Sequence, residues 1–460
     1  MGPEFGQRVR AQGLGELSRV SDIGQWILLC VAAFVWLAIL LRRDRFSLGL
    51  PMAYMSCLLL IHVPGAVVPL LSERFSFTAE ATGIGIRFTA IGAVCFVAGV
   101  QIVRFLNRQR PPVYRYVERR EFWFFCLAGG LLLQFFLSFL GSVSGLQAAV
   151  DRGSMLWLLG ALSGLRFGLA SGDRRAMLTW GAASLVYPVL MLIWGGFLGF
   201  GSVAIIMILS ALVVSVRNPA KLVVTGVVGG FVGLTIFVNY FVHRTEFREI
   251  TWSSASNYQR AVAAVEMFAD FKWFDPSDDT HLNAIDQRLN QNYFVGLAEI
   301  RLEQEQVGYL YGKSIWAGFA ALVPRVLWPD KPETGGSGRM VADMTGLALS
   351  EDTSWGVGNV MEFQINFGTP GVMVGFLILG FLIGWLDYKA AMADAYGDLP
   401  KLILYFISAV ALIQPGGSIT EITGGAAAAV VMSFIWKWVW QMWFDHSHPQ
   451  TPNQELAAYR

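Results

Sequence analysis

Long apolar segments separated by short polar connections dominate the chain. Most of them approach the roughly 20 apolar residues that a helix needs to cross the hydrocarbon core of a membrane. Eight precede a polar stretch at 243–367, and three follow it. The eleven segments are 26–41, 48–71, 84–106, 122–140, 155–169, 177–194, 202–216, 222–242, 371–386, 402–414 and 426–443. Runs of this length are typical of helices and not of barrel strands, so the pattern predicts an all-α polytopic membrane protein with about 11 transmembrane helices.

The composition supports a membrane environment. Apolar residues make up 55% of the 460 residues and charged residues only 15%, whereas soluble domains carry roughly 25% charged residues. The net charge of +1 by itself indicates no partner, and the predicted surroundings are the lipid bilayer, with no nucleic acid. Four cysteines all fall in apolar segments, at Cys30, Cys57, Cys95 and Cys126. Neither a disulfide framework nor a cysteine-based metal site is therefore predicted.

Basic residues in the short loops predict the orientation of the chain. They occur in alternate connections, at 42–45, 104–120, 174–175, 217–221 and 389. Because cytoplasmic loops are enriched in arginine and lysine, these connections are predicted to be cytoplasmic. The intervening loops carry few charges, at 72–83, 141–153, 195–201 and 416–421. They should lie on the opposite face together with 243–367, which is therefore predicted to be extracytoplasmic.

The pattern divides the chain into five parts. These are an N-terminal segment (1–22) whose opening MGPEF is typical of a cloning remnant, helices 1 to 8 (23–242), the extracytoplasmic segment (243–367), helices 9 to 11 (368–444) and a cytoplasmic tail (445–460). No cleavable signal pattern precedes the first span. Within the polar segment, apolar residues at helical spacing predict a helix over 257–271. The apolar run 315–327 is too short to span and predicts a re-entrant element.

Cations in and near the polar segment are candidate phosphate ligands. Arg244 and Arg248 directly follow the eighth apolar segment, and Arg288 lies among amide side chains in HLNAIDQRLNQNY. A guanidinium stays charged and presents a planar fork of donors that matches phosphate oxygens. The other candidates are Arg325, Lys331, Arg339 and Arg87. Each of these cations could equally contact a lipid headgroup or a loop carboxylate.

Carboxylates and a histidine are the candidate bases. Glu362 and Asn366 in GNVMEFQINFGTPG would share a helix face, which suits a base or a sugar ligand and equally suits a cap or a packing role. His281 is the better lone base by its intrinsic pKa. The acidic pairs at 278–279 and 351–352 are more typical of solvated loops than of a metal site, so neither a metal nor a cofactor is predicted. Motifs of nucleotide hydrolysis, zinc proteolysis and serine esterases are absent from the sequence.

Two strings in the polar segment resemble a known family. VPRVLWPDKP at 323–332 and TSWGVGNVMEFQINFGTPG at 353–371 are similar to the Wzy class of oligosaccharide repeat-unit polymerases, which make O-antigen, enterobacterial common antigen and exopolysaccharides. The motif similarity covers roughly 244–371, and the layout of the spans agrees over the whole chain. The resemblance implies a GT-C-like fold in a bacterial inner membrane, with the active site on the periplasmic side.

The resemblance also implies a reaction and a set of roles. A glycan on undecaprenyl diphosphate would be transferred, with inversion and without a metal, onto an incoming lipid-linked repeat unit. Arg325 and Arg288 would be catalytic, with Glu362 or His281 as the base. The expected diphosphate ligands are Arg244, Arg248, Lys331, Arg339 and Arg87, and the expected sugar ligands are Trp328, Asp330 and Asn366. A chain-length regulator is a candidate partner.

One part of the chain departs from the family pattern. Members commonly carry an arginine in a glycine-rich turn between the sixth and seventh spans, and here that turn reads GGFLGFGS. One expected phosphate contact is therefore missing unless Arg87 or Arg166 takes its place.

Other functions fit the same pattern. An O-antigen ligase would use the same polyprenyl-linked donor with a lipid acceptor. A metal-dependent transferase is less favoured because the loop 72–83 carries Glu73 but no acidic pair. Charges in the spans and glycine and proline breaks also permit a flippase or a secondary transporter, although no internal duplication is evident.

Overall fold

The computed structural model describes residues 3–44, 46–107, 118–136, 146–195, 198–215, 219–253, 255–267, 269, 271–323, 328, 336–348 and 355–444. Within these ranges the chain is about 85% helical and contains no strand. The helices before the polar segment are α1 (Pro3–Asp44), α2 (Leu50–Leu71), α3 (Ser76–Leu106), α4 (Arg120–Phe136), α5 (Leu146–Ser154), α6 (Leu156–Ser171), α7 (Arg174–Gly195), α8 (Leu198–Ser215) and α9 (Pro219–Trp252). The remaining helices are α10 (Asn257–Glu266), α11 (Asp279–Leu289), α12 (Gln291–Glu303), α13 (Lys313–Ala321), α14 (Ser337–Thr345), α15 (Asn359–Tyr396), α16 (Leu399–Ala411) and α17 (Ile419–Phe444).

The predicted all-helical class is confirmed, and the chain has the helices of a polytopic membrane protein. Each of the eleven predicted apolar segments contains a helix. Eight helical stretches in the described part of the chain are long and apolar enough to cross a membrane: Asp22–Arg43, Leu50–Leu71, Glu73–Leu106, Gln147–Ser171, Arg174–Ile193, Gly226–Thr251, Asn359–Tyr396 and Ile419–Phe444. Two shorter apolar helices add to these, Ser202–Val214 and Leu399–Ala411. The count of eleven spans stays a prediction.

Loops that were predicted to share one face meet at the same end of the bundle. Arg104, at the end of α3, donates to Asp387 Oδ2 on α15 (2.8 Å) and to the carbonyl of Phe46 after α1. Close by, Arg119 Nη1 lies 3.2 Å from Asp394 Oδ1 near the end of α15. Three basic connections of the chain therefore lie together, as their alternation predicts.

The loops predicted on the other face also meet one another. Arg74, between α2 and α3, forms an ion pair with Asp279 at the start of α11. The loop between α16 and α17 lies against the start of α15, where a side chain at Gly356 would collide with the carbonyl of Gly416. Each of these contacts joins a short connection to the polar segment, so the polar segment lies at the end opposite to Arg104.

Helix α12 belongs to the polar segment and yet packs inside the helix bundle. Its Gly296 sits directly on the carbonyl of Ala81 in α3, and Gly65 of α2 leaves no room for a Cβ beside Asn290. His62 on α2 lies 2.7 Å from Asn292 Oδ1, and Thr89 on α3 donates to the same oxygen (3.0 Å). Part of the polar segment is therefore built into the core of the bundle, and its extracytoplasmic location stays a prediction.

Helix α15 reverses direction near its start. The backbone leaves helical geometry at Phe367 (φ −143°, ψ 16°) and Gly368 (φ 62°, ψ −149°). On either side of this break, the rings of Phe363 and Phe376 are only 5.7 Å apart, whereas 13 helical residues would cover roughly 20 Å. The first limb, 359–366, therefore folds back on the long limb as a helical hairpin.

The first limb of this hairpin starts deep among the other helices. Asn359 Oδ1 accepts a hydrogen bond from the Tyr54 hydroxyl (2.7 Å), and the Tyr54 ring stacks on Phe96 with centroids 4.7 Å apart. Phe96 lies about 30 Å along α3 from Ser76, at 1.5 Å per residue. Non-helical backbone at such a depth requires partners from the protein, and here Asn359 N donates to the Pro415 carbonyl (2.8 Å).

Three predicted boundaries in the polar segment need correction. The eighth predicted span continues past 242, because α9 ends only at Trp252. The helix predicted over 257–271 begins as expected at Asn257, where Ser256 and Gln259 form a capping box, but it ends at Glu266. The run 315–327 forms the short helix α13 (Lys313–Ala321) against α17, and residues 324–327 lie outside the described ranges. The 359–366 limb is also inserted among the helices, and a re-entrant role of 315–327 stays a prediction.

Candidate functional site

Two arginines lie near the C-terminal end of α9. Arg244 and Arg248 are one turn apart, and the Arg244 guanidinium lies 4.4 Å from the centroid of the Phe241 ring. Arg248 Nη2 donates to the hydroxyl of Tyr240 (3.2 Å). A cation over an aromatic face is attracted by the negative potential of the ring. Aromatic residues of the same helix thus hold both guanidinium groups in place.

Arg288 reaches the same place from α11. Its guanidinium lies 4.5 Å from the Trp355 ring centroid and 5.8 Å from that of Phe241. Among the described residues it has no hydrogen bond and no ion pair, and its Nε is buried. Burial, followed by the positive charges of Arg244 and Arg248, lowers the pKa of Arg288 to about 10. The protein therefore brings three cations together, and in the described part of the chain no carboxylate forms an ion pair with Arg288. We call Arg244, Arg248 and Arg288 the arginine cluster.

A cleft of about 400 Å³ opens beside the arginine cluster. It is lined by Arg244, Thr245, Arg248, Glu249 and Ser253. Like charges in a partly buried site destabilise one another, and an anion with several oxygens would relieve this repulsion while accepting hydrogen bonds from the guanidinium groups. The chemistry of the site therefore suits a phosphate or diphosphate group.

Trp355 is a residue of the site that the sequence reasoning missed. Its ring meets Phe294 of α12 edge to face, with centroids 4.8 Å apart, and lies 4.5 Å from the Arg288 guanidinium. It lies within the TSWGVGNV string, which is part of the family resemblance. The sequence signal for Trp355 is its position close to two glycines, Gly356 and Gly358. In the structure Gly358 has a positive φ of 70°.

Glu362 lies on the inserted limb and is completely buried. Its Oε2 accepts from the backbone N–H of Ile419 at the start of α17 (2.7 Å), whereas Oε1 has no partner among the described residues. Glu421, which the sequence reasoning also missed, accepts from Ser418 N (3.1 Å) and from the Ser337 hydroxyl (2.7 Å). Two carboxylates therefore flank the positive end of the α17 dipole, where negative charge is favoured.

The predicted neighbourhood of Glu362 and Asn366 on one helical limb is confirmed. Asn366 Nδ2 donates to the Glu362 carbonyl and to the Ser314 hydroxyl (2.7 Å each), and Oδ1 accepts from Gly312 N (2.8 Å). The amide thus fixes the turn before α13 to the hairpin. Binding of a sugar by this buried side chain stays a prediction.

His281 is placed in a structural position. The residue is 5% exposed, and Nδ1 accepts from the backbone N–H of Asp275 (3.1 Å). Nε2 lies 3.8 Å from Asp278 Oδ2. Hydrogen bonding from the Thr280 backbone N–H in turn lowers the pKa of Asp278. These contacts close the turn that starts α11, and a catalytic role of His281 stays a prediction.

The remaining predicted site residues are spread more widely. Arg87 Nη2 lies 3.9 Å from Glu299 Oε1 on α12, and Arg339 is exposed on α14. Trp328 is 36% exposed. Arg325, Asp330 and Lys331 lie outside the described residues. Of the predicted cations, the structure thus brings together Arg244, Arg248 and Arg288.

No three His, Cys, Asp or Glu side chains within the described ranges are close enough to share a metal ion. All four cysteines are free thiols, and Cys30, Cys57 and Cys126 are buried among the helices.

Comparison with known proteins identifies a family but no activity. The model of a family described as a domain of unknown function (DUF8712) matches residues 69–398, and the chain belongs to this family. The matched range runs from the end of α2 to the end of α15 and includes the arginine cluster and Glu362. No curated protein and no solved structure matches the chain.

Proposed function

We propose that this protein is a glycosyltransferase that polymerises lipid-linked oligosaccharide repeat units. The observation that carries the proposal is the convergence of Arg244, Arg248 and Arg288 beside a cleft at the end of the helix bundle. A polyprenyl diphosphate presents the anion that such a cluster suits, attached to an apolar tail that the surrounding bilayer accommodates. The family match covers the cluster and is silent on activity.

The proposed reaction is an inverting displacement at the anomeric carbon of the donor glycan. The hydroxyl oxygen of the acceptor sugar forms the new bond as the bond from the anomeric carbon to the diphosphate oxygen breaks, and the diphosphate leaves with the bonding pair. Negative charge therefore gathers on phosphate oxygens in the transition state, where fixed guanidinium groups stabilise it. The proton of the acceptor hydroxyl passes to a carboxylate, for which Glu362 is the candidate because Oε1 has no partner among the described residues.

The proposed location is the inner membrane of a bacterium, with the arginine cluster on the periplasmic side. The basic connections at the opposite end of the bundle support this orientation, because cytoplasmic loops are enriched in arginine and lysine. Donor and acceptor would both be glycans linked to undecaprenyl diphosphate.

The proposal is tested by reconstituting the full chain in vesicles that contain only lipid-linked repeat units. We expect a ladder of elongated glycans on gel electrophoresis. Arg288→Ala should lower the rate by about two orders of magnitude. The loss of one preorganised hydrogen-bond donor raises an activation barrier by about 3 kcal/mol, which corresponds to a decrease of this size. Arg74→Ala removes an exposed arginine from the same end of the bundle and should leave the ladder intact. The same assay on Arg325→Ala tests the role predicted for that residue.

Three results would redirect the assignment. Transfer only after a lipid acceptor is added would indicate a ligase. Movement of the lipid-linked units across the bilayer without a new glycosidic bond would indicate a flippase. Loss of activity in a strong chelator would indicate a metal-dependent transferase.

A further inference from the structure

A short turn at 309–312, with the sequence YLYG, is fixed to the tip of the α15 hairpin. Leu310 N donates to the carbonyl of Ile365 (2.9 Å), and Gly312 N donates to Asn366 Oδ1 (2.8 Å). Gly312 has a left-handed backbone (φ +85°), and a Cβ there would lie 3.1 Å from the Phe367 ring. The turn and the hairpin tip therefore form one rigid surface.

Three aromatic rings of this surface face outward. Tyr311 is 76% exposed, Phe367 48% and Tyr309 37%. The two tyrosine rings meet edge to face, with centroids 6.2 Å apart. Tyr311 also has a left-handed backbone (φ +46°), which is uncommon for a bulky residue and recurs where a ligand is clamped. A strained backbone thus displays a ring that contributes little to the core. We call Tyr309, Tyr311 and Phe367 the tyrosine platform.

Polar groups border the tyrosine platform. Gln364 precedes Ile365, whose carbonyl binds the turn, and its amide donates to Glu299 on α12; Glu303 lies one helical turn further on. Burial and then the negative charges of these two carboxylates raise the pKa of the Tyr309 hydroxyl. Glu299 is held by the amide of Gln364 and lies 3.9 Å from Arg87, whose side chain is 42% exposed. Aromatic faces, carboxylates and an exposed guanidinium are therefore brought together from three elements of the chain.

We propose that the tyrosine platform binds carbohydrate. A sugar ring presents a face of polarised C–H groups, which an electron-rich aromatic face attracts, and a rim of hydroxyl groups. The exposed carboxylate of Glu303 accepts hydrogen bonds from such hydroxyls, and Arg87 donates to ring and glycosidic oxygens. This inference rests on the proposed function and extends it: the platform receives the glycan part of a substrate whose diphosphate binds elsewhere, at the arginine cluster.

The test uses water-soluble oligosaccharides released by mild acid from the surface polysaccharide of the source bacterium. These fragments lack the diphosphate, so their binding does not depend on the arginine cluster. Calorimetry and saturation-transfer NMR on the full chain in lipid nanodiscs should detect binding. Tyr311→Gly should weaken it about tenfold, the size of one aromatic contact. Tyr309→Phe keeps the ring, loses the hydroxyl and should weaken binding by less.

Two matched variants make the test specific. Tyr258→Ala removes a tyrosine on α10 that is 78% exposed and should leave fragment affinity unchanged. Tyr311→Gly should also keep or raise the melting temperature, because glycine adopts a left-handed backbone without strain. A lower affinity of this variant is therefore not a sign of unfolding.

The outcomes separate this inference from the proposed function. Fragment binding that survives Arg288→Ala while elongation is lost supports both. Elongation by a protein that does not bind fragments at millimolar concentration overturns the platform and leaves the polymerase intact. The platform is also overturned if Tyr311→Gly reduces association with lipid vesicles but not fragment affinity, since the rings would then belong to a membrane interface.

Discussion

Arginines at the two ends of the bundle have opposite surroundings. At one end, Arg104 is buried against Asp387, whose Oδ1 also accepts from Leu48 N (2.9 Å) and Leu50 N (3.3 Å). At the other end, the Arg288 guanidinium lies over the rings of Phe241 and Trp355 and forms no ion pair with any of the described residues. Both arginines sit beside apolar helices, and both are desolvated at a cost. The first charge is compensated within the protein and holds the loop before α2 to α15. The second has no carboxylate partner in the described ranges, and the proposed diphosphate would compensate it.

The difference shows how structural and ligand-binding arginines can be separated. A buried pair contributes order because removal of one partner exposes the other to an apolar interior. A cluster of like charges lowers stability and contributes affinity for an anion instead. The following experiments test whether this division holds.

Removal of Arg104 should have the largest effect on stability. Arg104→Ala leaves the Asp387 carboxylate buried without its cation, beside neutral donors such as Leu48 N and Leu50 N, which we expect to cost about 3–5 kcal/mol. The measurement is the thermal unfolding midpoint of the purified protein in detergent. Lys401→Ala breaks an exposed ion pair with Asp398 and should cause no measurable change. Equal unfolding midpoints for Arg104→Ala and wild type would contradict the structural role of Arg104.

Inorganic diphosphate should stabilise the wild-type protein. A ligand that binds only the folded state at 100 times its dissociation constant adds about 2.7 kcal/mol. The rise in the unfolding midpoint should disappear in Arg288→Ala and persist in Arg74→Ala. Without diphosphate, Arg288→Ala should be at least as stable as wild type because repulsion within the cluster is reduced. A diphosphate effect of equal size in Arg288→Ala would contradict the assignment of the cleft.

Trp355 should act as a positioning residue for Arg288. Trp355→Leu removes the aromatic face and should weaken diphosphate binding by about 1 kcal/mol, or roughly fivefold, whereas Trp355→Phe should retain most of it. A titration of the unfolding midpoint with diphosphate measures this difference. If both variants lose the same affinity, Trp355 serves only to pack against Phe294.

The Arg87–Glu299 pair, at 3.9 Å, is intermediate between the two arrangements and should respond to pH. Burial raises the pKa of Glu299, followed in the same direction by the charge of Glu303. The Glu299 carboxyl group then stays protonated to a higher pH in the folded state than in the unfolded chain. As the pH rises from the unfolded pKa through the raised folded pKa, this group therefore lowers the free energy of unfolding. Acidification from pH 7 to pH 5 should therefore lower the midpoint less in wild type than in Glu299→Gln. The reverse order would show that Arg87 outweighs burial.

Local sequence patterns determined much of the fold. The apolar segments predicted the positions of the helices because each needs only its own run of side chains, and Ser256 with Gln259 marked the start of α10. Arg244 and Arg248 could be recognised as neighbours because they are one turn apart on a helix. The sequence could not indicate that Glu421 lies near Glu362, because no local period relates positions 59 residues apart.

On its own, the sequence determined the all-helical class of the protein and the division of its loops into a basic set and a set with few charges. Both follow from the composition of each segment separately, because an apolar run forms a helix and a loop carries its charge independently of the rest of the chain. Tertiary structure alone decided that α12 enters the bundle through contacts at Gly296 and Gly65, and that Gly368 turns the first limb of α15 back to Tyr54. It also decided which arginines share a site. Arg288 joins Arg244 because Trp355 and Phe241 arrive from different parts of the chain. Such contacts depend on close packing between distant segments, which no single segment encodes.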